Sequence, residues 1–245
     1  MNDMSPEAFT RQALLADVFA ETEPHQKERI IKTLQHAGKT VAYMGDGIND
    51  VSAIHAADVG ISVNDAVDVA KEKADFVLLE KDLSVLIDGI IEGRKSFTNS
   101  MKYILINTGA TFGNMFSVAG ASLLLPFLPM LPKQILLTNF LTDFPYLAVA
   151  SDNVDEEVLR RPGEWNMKTL RNFMIVFGIH SSLFDFITFF SLYHYLGLKD
   201  TSFQTGWFLE SVLTELFILF IIRTRKSFIK SKPGKTLLFT TARLS

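Results

Sequence analysis

The 245-residue chain has no cysteine, which excludes a disulfide framework and any thiolate metal site. No basic start leading into an apolar signal region precedes the first expected strand, so entry into a membrane would have to come from internal helices. Internal repeats and low-complexity segments are missing too. Neither sign of charge is in marked excess: 24 Lys and Arg stand against 27 Asp and Glu, a formal net charge of −3. That balance says little about partners, and a nucleic-acid partner is not expected. Between Pro24 and Pro126 there is no proline, so nothing in that interval forces a helix to stop.

Apolar residues, by contrast, are abundant. They make up 48% of the chain, and the mean hydropathy is positive. This composition allows one large domain, or a small domain with a membrane part. The distribution favours the second, because charge is dense before about Arg94 and in two short later patches, with apolar runs between.

Before Arg94, strand and helix patterns alternate. Ser5 to Leu15 reads as a helix capped by Ser5 with Pro6 at its first position, and Asp17 to Glu21 reads as a strand. Pro24 opens a helix whose apolar face is Ile30, Ile31 and Leu34, and Gly38 ends it. Thr40 to Met44, Val59 to Val63 and Phe76 to Leu79 read as strands. Helices are expected after Asp50 and from about Ala66 to Lys73. The alternation predicts a parallel sheet covered by helices, roughly half of a doubly wound α/β domain.

The strand at Thr40–Met44 runs into Gly45-Asp46-Gly47-Ile48-Asn49-Asp50. A carboxylate at the carboxyl end of a strand, between glycines that let backbone approach a ligand, suits a magnesium ion bridging to phosphate. Asn49 and Asp50 add an amide and a second acid within one turn. The same residues also fit a plain acidic turn between strand and helix. Lys27, on the second helix, reads by spacing alone as a solvated charge.

From Leu83 a helical pattern runs through Val85, Leu86, Ile90 and Ile91 into Tyr103–Ile106, predicting one long helix, half in water and half in lipid. Four stretches are taken as bilayer spans: Tyr103–Leu125, Gln134–Ala150, Phe173–Leu196 and Trp207–Ile222. The domain scheme is thus 1–82 for the α/β part, 83–102 for a helical stalk, 103–222 for a transmembrane bundle, and 223–245 for a basic segment with the start of a further helix. Basic residues in the linker 160–171 and after Ile222 place both on the side of the amino-terminal domain, the cytoplasm. Trp207 would then lie near the outer interface.

Polar residues inside those spans form a second constellation. Thr111 and Asn114 lie on the first span and Asn139, Thr142 and Asp143 on the second, with Asn139 and Asp143 one turn apart on a shared face. Intramembrane polar groups line a pathway or pair with one another. Oxygen ligands of this kind suit a hard divalent cation, and Pro145 would break the helix and free carbonyl oxygens. A structural hydrogen-bond network between helices is the other reading. Asp185, Glu210 and Glu215 are further acids in the later spans, and only Glu215 is placed within reach of the pathway.

The stretches Val18–Lys27, Met44–Asp50 and Ala57–Val63, in this order and at these spacings, resemble the second half of the phosphorylation domain of P-type cation-transporting ATPases, with a tone closest to the magnesium-transporting class. The resemblance covers nearly the whole chain. It implies a partial haloacid dehalogenase-like, Rossmann-type fold followed by an α-helical transmembrane bundle. It further implies that Asp46 and Asp50 order a catalytic Mg2+, that Asn49, Gly45 and Gly47 shape the site, and that Lys27 contacts the phosphoryl group derived from ATP. Phe112-Gly113-Asn114 and Asn139–Asp143 resemble the ion-binding elements of the fifth and sixth membrane helices, although Asn114 stands where many pumps carry an acid. No Asp-Lys-Thr-Gly element occurs in the sequence. The expectation is therefore the carboxyl-terminal part of a pump, in a multi-pass plasma-membrane protein. Its partners would be membrane lipid, a transported divalent cation and the missing amino-terminal part. A calcium or other cation pump, a non-catalytic membrane remnant and a haloacid dehalogenase-like phosphatase stand as alternatives.

Overall fold

The computed structural model describes residues 4–80 and 82–243, and the chain divides into two compact units, Met1–Ile90 and Ile91–Ser245. In the first unit, helix α1 spans Pro6–Leu15, and Ser5 Oγ accepts the Ala8 N–H at 3.3 Å as its cap. Helix α2 spans Pro24–His36, buries Ile30 and Ile31, and gives way to Gly38 in a left-handed conformation at φ +79°. Strand β1 is Ala42–Met44, followed by a short 3-10 turn at Ile48–Asp50 and helix α3 at Val51–Ala56. Strand β2 (Val59–Val63), helix α4 (Asp68–Lys73) and strand β3 (Phe76–Leu78) complete it.

The three strands form one parallel sheet in the order β1-β2-β3, with Met44 opposite Ile61 and Ile61 opposite Phe76. Central β2 buries Gly60 through Val63, because both its edges are paired and helices cover it. Ile54, Val63, Ala66 and Ala70 make the core with Tyr43, Val51 and Leu78 against them. Gly60 lets α3 come close: a Cβ there would lie 2.8 Å from both Ile54 Cγ2 and the Ile54 carbonyl oxygen.

Asp17–Glu21 does not form the expected strand. Val18 is 81% exposed, Glu21 turns to φ +53°, and no neighbour hydrogen-bonds to the segment among the described residues. β propensity reflects fit to a pleated, half-buried surface, and without a neighbour it has nothing to act on.

In the second unit the helices dominate. Helix α5 runs unbroken over Leu83–Leu124, 42 residues, as the absence of proline allows. Helix α6 is Pro132–Ala148, closed by a 3-10 turn at Val149–Ser151. Helix α7 (Glu156–Leu159) is a single turn. Helix α8 is Met167–Phe190 and continues as a π-helical turn to Tyr195. Helix α9 is Asp200–Ile222 and helix α10 is Lys235–Ala242. Among the described residues, two helices are long and apolar enough to cross a membrane, Met167–Tyr195 and Asp200–Ile222. Both begin several residues before the expected spans, since an apolar window marks lipid-facing length and polar residues extend the helix beyond it.

Pro145 does not break α6, which continues three residues past it. The ring still removes the N–H that would bond the Leu141 carbonyl, so the backbone loses one donor without losing its path. Trp207 is buried among the helices. It is 1% exposed, donates from Nε1 to Asp185 Oδ1 at 3.0 Å, and stacks edge-on against Phe189 at 4.6 Å. Close approach of α5 and α8 depends on small residues: a Cβ on Gly178 would meet Phe112 Cδ1 at 2.3 Å, and Ser182 Oγ donates to the Gly113 carbonyl at 3.1 Å.

Candidate functional site

The carboxyl end of β1 delivers Gly45, Asp46 and Gly47 to a loop that the sheet and α4 hold in place. Gly45 N–H donates to Ile61 O at 3.1 Å, Ser62 Oγ donates to Gly45 O at 3.0 Å, and Val67 N–H donates to Asp46 O at 3.1 Å. Gly45 has no room for a side chain, because a Cβ would sit 2.4 Å from Asp50 Cβ. The loop borders a pocket of about 360 Å3 lined by Met44, Gly45, Asp46, Asp50, Val63 and Leu78, with Asp82 and Leu83.

Lys27 reaches this loop from α2. Its Nζ donates to Asp50 Oδ1 at 2.7 Å, the Tyr43 hydroxyl donates to the same oxygen at 2.7 Å, and the Gly47 N–H donates to Oδ2 at 3.3 Å. Burial pushes the Asp50 carboxyl up, yet the bonds from Lys27, Tyr43 and Gly47 outweigh it and hold the group below the usual carboxylate range. The bond to Asp50 raises the Lys27 ammonium above its ordinary value, against a smaller opposing effect of burial. Burial, then the Asp50 contact, raises the Tyr43 phenol.

The structure therefore brings Lys27, Asp50, Gly45, Gly47 and Asp46 to one loop. Asp46 is exposed and borders the pocket, while Asn49 is exposed and does not line it. Lys27, which spacing alone reads as solvated, is an ion-pair partner. Tyr43 was missed by sequence reasoning, and the signal available was its position on β1 one residue before Met44.

The second constellation separates into two groups. Thr111, Asn114 and Asn139 line one cavity of about 100 Å3, together with Thr138, Trp207 and Ser211. Thr142 is buried, and its hydroxyl donates to the Thr138 carbonyl at 3.1 Å. Asp143 is exposed. Asn114 Nδ2 donates to Glu215 Oε1 at 2.6 Å, and the Tyr146 hydroxyl donates to Glu215 Oε2 at 3.2 Å. Glu215 is thus the acid that faces Asn114. Asp185 is a buried structural acceptor, taking bonds from Ser117 at 2.6 Å and from Trp207. Among the described residues, no group of three or more acids or histidines gathers as a metal cage.

Residues 127–244 match the family described as cation transporting ATPase, C-terminus, and residues 25–89 match the haloacid dehalogenase-like hydrolases. The chain belongs to the P-type cation-transporting ATPases, as a carboxyl-terminal part: a haloacid dehalogenase-like segment followed by a mostly helical region. It is 45% identical, over 97% of its length, to the Magnesium-transporting ATPase, P-type 1, of Salmonella typhimurium, and equally so to that of Escherichia coli K12. To the Calcium-transporting ATPase of Bacillus subtilis it is 31% identical over 100% of its length. The chain spans about a quarter of the length of the curated relatives it matches, 27% for the first two and 28% for the third.

Proposed function

We propose that this chain supplies the Mg2+- and phosphoryl-binding half of a phosphorylation site and most of the cation pathway of a magnesium-translocating pump driven by ATP. The observation that carries the reading is the Lys27–Asp50 contact beside Asp46 at the carboxyl end of a parallel sheet, where open α/β sheets bind ligands. The donor set fits a magnesium ion. Asp46 offers an exposed carboxylate toward the pocket, Asp50 a second, and a side chain at position 45 would collide with that of Asp50. When bound, the ion would neutralise charge on a phosphoryl group. Asp46 would hold it, Asp50 would order the loop and orient Lys27, and Lys27 would place a positive charge against the phosphoryl oxygens. Gly45 and Gly47 keep the backbone close enough for that approach.

Transport is read from the second unit, with Tyr103–Leu125, which α5 covers as far as Leu124, and the 17-residue α6 joining α8 and α9 as spans. Thr111, Asn114 and Asn139 share a cavity of about 100 Å3, room for a cation with part of its water. Asp143 shares the exposed face of Asn139 on α6, where a further helix could meet them. α5, which runs from Leu83 to Leu124, supplies Thr111 and Asn114 to that cavity. Magnesium rather than calcium is favoured by the 45% identity to pumps named for it.

The chain lacks an Asp-Lys-Thr-Gly element, so the purified 245-residue protein should bind Mg2+ at Asp46 and release no phosphate from ATP. Phosphate release that disappears in Asp46→Ala would overturn that assignment. In a full-length pump carrying this sequence, ATP-driven Mg2+ uptake abolished by Asp143→Ala and Asn114→Ala is the expected result.

A further inference from the structure

Three stretches of chain meet at Glu215: α5 through Asn114, α6 through Tyr146 and α9 through Glu215 itself. The same three meet again at Asp152, which follows α6 and is 5% exposed. Its Oδ2 accepts from Lys102 Nζ of α5 and from Arg223 Nε at the end of α9, each at 2.8 Å. Oδ1 accepts the Gly234 N–H at 2.9 Å, just ahead of α10. The two cations spend further donors inside the chain. Lys102 donates to Asn153 O at 2.8 Å, and Arg223 donates to the carbonyls of Ser231 and Lys232 at 2.9 and 3.1 Å. Asn99, one turn earlier on α5, donates to the Ala150 and Asp152 carbonyls at 3.1 and 2.8 Å.

Burial opposes charge on Asp152, yet Arg223, Lys102 and the Gly234 N–H hold its carboxyl below the usual range. The cluster is therefore buried and ion-paired, with Asp155 beside it accepting from Thr224 at 2.6 Å and Ser231 at 2.9 Å. A buried ion pair is weak grounds for stability, because desolvation cancels much of the attraction. What it supplies over an apolar contact is a single permitted geometry. Lys102 lies a little over three turns before Asn114 on α5, about 18 Å along the axis, and Arg223 a little over two turns after Glu215 on α9, about 12 Å. Two ties so far apart stop the helices from sliding or pivoting against each other, which one tie cannot do.

We propose that Asp152 is a positioning residue for the cation site: by gripping Lys102 and Arg223 it sets the axial register of α5 against α9, and so the placement of the Asn114 amide and Glu215 carboxylate toward a divalent cation. The inference rests on the cation reading given above. Without native cysteine, Leu123→Cys and Leu209→Cys put unique spin labels on α5 and α9, at positions 88% and 55% exposed. In the full chain held in phospholipid nanodiscs, Lys102→Met removes the charged α5 arm and leaves the Asp152–Arg223 pair and the Asn99 bonds to the Ala150 and Asp152 carbonyls. The expected result is a shifted or broadened interlabel distance and at least a tenfold loss of Mg2+ affinity by calorimetry, both largely restored by Lys102→Arg. A role confined to local stability would lower the thermal midpoint while leaving distance and affinity of the folded protein unchanged, and that outcome overturns the proposal. If the parent chain takes up no Mg2+, the cation reading fails by itself and the distance still decides. A shift rescued by arginine keeps the register role, and an unchanged distribution ends it. Should Lys102→Met not fold, Lys102→Gln, which keeps a donor for the Asn153 carbonyl, is read the same way.

Discussion

Asn114 gives an amide hydrogen to Glu215 at 2.6 Å, although the two are 101 residues apart in the chain. The amide proposed as a cation ligand is thus held by a carboxylate that also takes the Tyr146 hydroxyl. Glu215→Ala would strand both donors in a buried site, at a cost of about 1–3 kcal/mol. Urea unfolding in detergent should show that loss, and Mg2+ titration should show weaker binding than in Thr111→Ala. Among the described residues the Thr111 hydroxyl donates only to Asn107, at 3.5 Å, so equal effects from the two variants would count against the assignment.

The Lys27–Asp50 pair has a defined pH window. Asp50 sits below its ordinary value, so its contribution is fully present above about 3.9 and fades as pH falls through the folded value. Lys27 sits above its ordinary value, so its contribution is complete below about 10.4 and fades as pH rises through the folded value. The stability difference between parent and Asp50→Asn should therefore be flat from about pH 5 to 9 and shrink in stronger acid. Its size should be about 1 kcal/mol, because the pair is only partly buried. Denaturant midpoints collected across that range decide it.

Gly45→Ala should displace Asp50. The added methyl would lie 2.4 Å from Asp50 Cβ, so either the loop or the Asp50 side chain must move. A cost of about 1–3 kcal/mol is expected, with the Lys27 contact weakened and Mg2+ binding lost together. Chemical shifts of the Lys27 ammonium that match the parent would show that the loop had absorbed the methyl.

Gly178→Ala should push α8 from α5 in the same way, since its methyl would meet Phe112 Cδ1 at 2.3 Å. The expected effect is about 1–3 kcal/mol, read as a lower thermal midpoint, and Phe112→Ala in the same chain should relieve most of it. An additive double variant would mean that the ring simply rotates away.

Much of the first unit was legible because its signals are local. Ser5 and Pro6 mark a helix start, Gly38 marks an end, and alternating strand and helix patterns give a parallel sheet. Asp17–Glu21 was not legible, because strand character depends on a neighbour that no local pattern reveals. The long helix was readable from missing proline, whereas Pro145 misled: losing one backbone donor is tolerated where surrounding helices hold the path. Site residues that come from one loop, Asp46 and Asp50, could be found by motif. Tyr43, Glu215 and the Lys102–Asp152–Arg223 cluster act through side chains brought together over long separations, and Arg223 looked like one more basic residue at a membrane edge. It is instead 3% exposed.

The chain has two indoles in opposite settings. Trp165 is 56% exposed, whereas Trp207 is 1% exposed, edge-on to Phe189 and bonded to Asp185. An excited indole relaxes in polar surroundings, so emission from Trp165 should be red and easily quenched from water, and emission from Trp207 blue and shielded. With Trp165→Phe, the protein carries one intrinsic optical reporter at the junction of α5, α8 and α9. Rearrangement of that junction can then be followed in real time without any label.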